Sequence, residues 1–254
     1  MGQNVRFDST DRVTRITLNR PEKLNAMTPS MWRRVGSLIE QAERDRSRMI
    51  VLSGQGEAFC AGDDITTLND IESEHDVRSL CDVVLECFDA IESSPLPVIG
   101  KANGSAYGGG FELLLCCDLT VVPSGSVFSL PETQIGAYPF YAAKRLVGIV
   151  GRQRASDISM AGRELTAEEA VEWGLFARVV NEGDVDSSVE EIIDKLKRSS
   201  PGALETTKAW SNAQLEFVGE NTAMKNGLGY LFAGEDAREG ARSFLENRNP
   251  DFAE

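Results

Sequence analysis

Two glutamates stand where their surroundings favour chemistry. Glu112 lies in "AYGGGFELLLCCD", two residues after the consecutive glycines Gly108, Gly109 and Gly110, and Glu132 follows Pro131 in "FSLPETQIG". Glycines remove the Cβ atoms that keep a ligand away from the backbone. If a helix begins at the glycines and runs through "FELLLCC", its first amide groups have no intrahelical partners and carry partial positive charge. That arrangement suits an oxygen that becomes negative during reaction. Taken alone, the motif equally describes a tight strand-to-helix turn with an acidic residue in the first helical turn. The phosphate-binding patterns fail: no Lys-Ser or Lys-Thr follows the glycines, and GxGxxG lacks its third glycine.

A second glycine loop, "FCAGDDI" from Phe59 to Ile65, follows the apolar segment "RMIVLSG", much as the "GGG" loop follows "PVIGKANG". Ligands in open α/β sheets gather at the carboxyl ends of strands. Two loops at one edge could each offer an N–H to one oxygen. Glu132 by itself reads as a turn residue, but two glutamates beside an oxyanion site form a possible acid–base pair.

Other chemistries lose ground on residue types. The one histidine, His75, sits in acid-rich "NDIESEHDV" and reads as a surface residue, which weakens multi-His metal sites and a Ser-His-Asp triad. Five cysteines, including adjacent Cys116 and Cys117, make no CxxC pair, so a reduced, cytoplasmic protein without a metal framework is expected. A net charge of −14 opposes binding to nucleic acid or anionic lipid. Lysine-poor acidity would also suit a high-salt cytoplasm. No secretory signal or transmembrane segment is expected, because the N-terminus has no apolar h-region and no apolar run approaches the length of a span.

The elements that must hold these residues follow from periodicity. "VRFDSTDRVTRITLNRP" alternates around a polar turn and predicts a β-hairpin. "TPSMWRRVGSLIEQAERD" predicts a helix with Thr28 as N-cap and Pro29 at its first position. "RMIVLSG" and "PVIGKANG" predict buried strands, "FCAGDDITTLND" a loop, and "EHDVRSLCDVVLECFDAIESSP" a helix stopped by Pro95. Alternating helices and short apolar strands argue for a parallel sheet covered on both faces. Beyond residue 135 the pattern is mainly helical, with "LFARVV" as one strand. After Pro201 come three helical segments expected to pack on the body or on another subunit.

Together these segments resemble the crotonase superfamily, the enoyl-CoA hydratases and isomerases. The resemblance rests on "LNRPEKLNAM", "AFCAGDDI", "KANGSAYGGGFELLLCCDL", "LPETQIG", "AGRELTAEEAVEWGLFARVV" and "EDAREGARSFLENRNPDF". It implies an α/β core of repeated ββα units in a spiral, residues 1–198, and a helical oligomerisation region, 199–254, giving a homotrimer or a dimer of trimers. It places an oxyanion hole at the amides of Ala61 and Gly109. Lys23, Leu24, Ala61, Asp64 and Ile65 match segments that border coenzyme A. Glu112 and Glu132 match the two hydratase glutamates that add water to a trans-2-enoyl-CoA. Coenzyme A enters as part of the substrate, and no permanently bound cofactor or metal is implied.

One segment departs from the family pattern. Where "IPGxGGTQRL" is usual, the chain has "AYPFYAAKRL", which places Tyr138, Phe140 and Tyr141 at the expected acyl pocket. Changed helix packing, or a cyclic, branched or aromatic acyl group, would each account for it. Other readings are an enoyl-CoA isomerase, a dehalogenase-like or ring-opening relative, a non-catalytic CoA- or RNA-binding member and, against the placement of His75, a serine-protease relative. The presence of Glu112 argues against the isomerase.

Overall fold

The computed structural model of the chain describes residues 3–69, 73–213 and 235–248. The predicted hairpin forms as β1 (Val5–Thr10) and β2 (Val13–Leu18), turning through Asp11 and Arg12, which both take positive φ. Helix α1 (Pro29–Arg44) starts where its signals place it: the Thr28 hydroxyl accepts the Met31 amide at 3.3 Å, and Pro29 occupies the first position. Strand β3 (Met49–Gly54), helix α3 (Glu74–Ser93) and strand β4 (Val98–Lys101) also follow the pattern. The expected loop after Cys60 contains a short helix, α2 (Ile65–Asn69), because the Asp64 carboxylate accepts the Thr66 amide and hydroxyl.

The chain continues through β5 (Ala106–Tyr107), α4 (Gly109–Leu115), β6 (Leu119–Pro123), β7 (Val127–Ser129) and α5 (Ala142–Met160), which is broken at Gly151. Then come β8 (Leu165–Thr166), α6 (Ala167–Glu172), β9 (Arg178–Val180), α7 (Val185–Lys197), α8 (Pro201–Ala213) and α9 (Glu235–Leu245).

The larger sheet has the order β1-β2-β3-β4-β6-β9 and is parallel after the hairpin; the smaller has the order β5-β7-β8. Each turn of the spiral lays one strand in the large sheet, a short extended piece in the small one, and then a helix. Thus β3, the Cys60 bridge and α3 are followed by β4, β5 and α4, then by β6, β7 and α5. Cys60 pairs parallel with Ala106, and β5 pairs parallel with β7, so the three short pieces end at one edge.

Side chains alternate across the large sheet. Ile50, Leu52, Val98 and Val122 enter the main core, while Met49, Val51, Ile99 and Val121 meet Val189 and Ile193 of α7. Both faces of the sheet are therefore covered. His75 is exposed on α3, and Cys116 is buried on the core side of the chain. No helix among the described residues is long and apolar enough to cross a membrane.

The last helices lie on the body of their own chain. On α8, the Lys208 ammonium donates to the Ile91 and Leu96 carbonyls at 2.8 and 3.0 Å and pairs with Asp118 at 2.8 Å. Helix α9 packs on α2 and on the 3-10 turn Glu132–Ile135, with Gly240 directly against the Ile135 backbone. The expected helix "NTAMKNGLGYLFAG" lies outside the described residues.

Candidate active site

Because the short strands end together, the loops that follow them also converge. The Ala61–Asp64 loop, the Gly108–Gly110 loop and the Pro131–Ile135 turn form one side of a cavity of about 220 Å³. The opposite wall is apolar: Val77, Leu80 and Val84 come from α3, Tyr138 and Phe140 from the segment before α5, and Phe244 from α9.

The glycines allow the loops to approach one another. Gly108 has φ 51, a conformation costly for other residues, and a Cβ there would lie 3.0 Å from Glu132 Oε1. A Cβ on Gly110 would lie 2.4 Å from the Cys60 carbonyl oxygen, inside contact distance. Helix α4 can therefore start against the first loop only if that position is glycine. The run is required by packing as well as by any ligand.

Glu112, on the first turn of α4, is buried yet lines the cavity. Its Oε1 accepts the amides of Tyr141 and Ala142, at the start of α5, at 3.1 and 2.8 Å. Burial raises its carboxyl to about 7; the Asp63 charge adds to this rise, and the two amides oppose it. Glu132 is driven well above the usual glutamate value, first by burial and then by the charge of Glu112. Its Oε2 is buried without a hydrogen-bond partner among the described residues.

Sequence reasoning did not single out Asp63. The Trp32 indole N–H donates to its Oδ1 at 2.7 Å, and the carboxyl borders the same cavity. Burial raises it to about 6 against the pull of that indole. The available signal was the acid doublet Asp63-Asp64 inside a glycine loop. The two diverge: Asp64 turns away to Arg20 at 2.9 Å and to Thr66, so its carboxyl lies below the usual value although burial acts to raise it.

Two expected assignments need correction. The Ala61 amide is already committed, donating to the Leu24 carbonyl at 2.9 Å, so it is not free to hold an oxyanion. The amides of Asp63 and Gly109 have no acceptor among the described residues. Tyr141 does not line the cavity. Its ring packs on Phe88 at 4.7 Å, and its hydroxyl joins Glu92 and Arg145. Of the expected coenzyme A residues, Ala61 and Ile65 border the cavity, whereas Lys23 and Leu24 lie outside its lining in an exposed turn. Asp64 serves as the cap of α2.

The model of the enoyl-CoA hydratase/isomerase family matches residues 8–254. The chain belongs to that family. It is 31% identical over 248 residues to the mevalonyl-coenzyme A hydratase sidH of Aspergillus fumigatus, covering 95% of this chain and 91% of that one. An enoyl-CoA hydratase from Mycobacterium avium subsp. paratuberculosis superposes with a TM-score of 0.90 at 26% identity, over 99% of each chain. An enoyl-CoA hydratase from Bacillus anthracis is 30% identical with a TM-score of 0.78, over 98% of this chain and 99% of that one. As a member of the enoyl-CoA hydratase/isomerase family, the chain shares the spiral core expected from its motifs.

Proposed function

We propose that the protein is an acyl-CoA lyase that adds water to a trans-2-enoyl-CoA. One observation carries this reading: the buried Glu112 and half-buried Glu132 carboxyls, with unequal surroundings, border one cavity beside two amides that have no acceptor among the described residues. The thioester oxygen would rest on the amides of Gly109 and Asp63, which stabilise it as it becomes an enolate, at about 3–4 kcal/mol per donor. Glu112, the acid with the smaller rise and two fixed amide donors, is the base that takes a proton from water as the water attacks the β-carbon. Glu132, held neutral by burial and by its neighbour's charge, supplies the proton to the α-carbon. One proton is removed and one delivered, and the pair returns to its starting state after proton exchange.

Coenzyme A would enter past Ala61 and Ile65, with Lys23 and Leu24 at the outer rim. No resident cofactor is required. The apolar wall of α3, Tyr138, Phe140 and Phe244 suits a compact acyl group. The similarity to a mevalonyl-coenzyme A hydratase supports placing branched acyl groups in the test set. A panel of enoyl-CoA thioesters with straight, branched, cyclic and aromatic acyl groups should show loss of the conjugated-thioester absorbance for at least one compact member. A panel with no loss of that absorbance, but with movement of a double bond from the 3- to the 2-position, would replace hydration by isomerisation.

A homotrimer or a dimer of trimers accompanies this reading. Family resemblance supports it, as does Trp210, which is 70% exposed on α8. Light scattering at micromolar concentration is expected to give a multiple of three chains, and a monomer would exclude it. Apolar stripes after Pro201, such as Ala209, Leu215, Phe217, Leu231 and Phe232, would supply the interface; of these, Leu215, Phe217, Leu231 and Phe232 lie outside the described residues.

A further inference from the structure

The fold gives a cation to several of the acids it takes out of water. Asp64 has Arg20, Asp118 has Lys208, and Glu92 has Arg145. The acids that border the cavity are treated differently. Asp63, Glu112 and Glu132 come from three successive turns of the spiral, and no Lys, Arg or His lines the cavity among the described residues. An uncompensated buried carboxylate is costly, and a third one beside two others costs more. Nothing in the packing requires Asp63 to be an acid. Its structural contact is the acceptance of one indole N–H, which an amide oxygen would accept equally well.

We propose that Asp63 is a positioning residue for the glutamate pair: its charge, oriented by Trp32, sets how many protons Glu112 and Glu132 hold between them. This rests on the reading of those glutamates as the acid and the base.

The groups that face Asp63 support this direction of influence. From α1 comes only the neutral Trp32 indole, from α4 Glu112, and from the turn after β7 Glu132. Its own loop contributes the Cys60 thiol, pushed up to about 12, and Asp64, whose charge is already matched by Arg20. Among the described residues, every ionisable group facing it is therefore neutral or acidic. When Asp63 is charged, both glutamates hold their protons to higher pH. When it is neutral, both release them earlier. The Asp63 side chain touches no reacting atom in this scheme and acts through the pair, whereas its backbone amide belongs to the oxyanion site proposed above.

The test is Asp63→Asn, which keeps the Trp32 acceptor and removes the charge. Isotope-edited infrared titration with labelled glutamate carboxyls reads the pair directly, with Glu112→Gln and Glu132→Gln identifying the bands. In the folded variant the cavity glutamates should titrate about one pH unit lower, and the kcat/KM profile should move the same way. Asp63→Ser serves if the Asn variant does not fold. Unchanged glutamate bands in a folded variant would overturn the proposal. Bands that move while the kcat/KM profile stays in place would leave the coupling standing, and would show instead that the pair is not the acid and base of the reaction.

Discussion

Glu132→Gln is expected to lower turnover by roughly 10²–10⁴-fold while raising the melting temperature at pH 8. The first effect follows from removing the group that, in the proposed reaction, supplies a proton to the α-carbon. The second follows from burial. The glutamate holds its proton in the folded protein at pH values where the unfolded chain has released it. Its contribution to stability is therefore complete below its ordinary value of 4.5 and is lost as pH rises through the higher folded value. Glutamine is neutral throughout and does not suffer that loss. The variant should be several degrees more stable than the wild type at pH 8, and the gap should close near pH 4.5. Glu112→Gln should lose comparable activity with a smaller stability gain, because its rise is smaller and the Tyr141 and Ala142 amides favour its charged form. Wild-type turnover in the Glu132 variant would remove that residue from the mechanism. Equal melting temperatures at pH 8 would show that its carboxyl is not held neutral.

Lys208→Met should cost about 3–5 kcal/mol, because it leaves the Asp118 carboxylate and two carbonyls without their donor. For a chain of this size that corresponds to a drop of roughly 10 °C in melting temperature. Asp118 keeps one bond, from the Val98 amide, and its carboxyl already sits above the usual value through burial. The double variant Lys208→Met, Asp118→Asn should recover much of the loss, since a buried pair removed together leaves no unmatched charge. If the single variant melts like the wild type, the ammonium does not anchor α8 in solution.

Much of the frame could be read from local signals. Thr28 and Pro29 mark the start of α1, and short apolar runs mark β3 and β4, because capping and burial are decided within a few residues. The meeting of Glu112 and Glu132 was also foreseeable, since each follows a strand that ends at the same edge. What escaped notice depends on partners distant in sequence. The Ala61 amide is taken by a carbonyl thirty-seven positions earlier (Leu24), and Asp63 is oriented by an indole on α1. Tyr141 reads as a pocket aromatic until Glu92 and Arg145 draw its hydroxyl into the interior. The strands β5, β7 and β8 are too short to show a period. The placement of Phe244 over the cavity depends on how the end of the chain folds back.

The convergence of the three loops separates two kinds of tolerance to change. The spacing of the acids is set by neighbouring backbone strands, and Gly108 and Gly110 leave that backbone little room to drift. The opposite wall is assembled from unrelated parts: one face of α3, the segment before α5, and the end of the chain. Side chains there can be exchanged for larger or smaller ones without altering the distance between carboxyls. A lineage built on this frame can therefore change the shape of its cavity one wall residue at a time, while the acids that line it remain where the strands hold them.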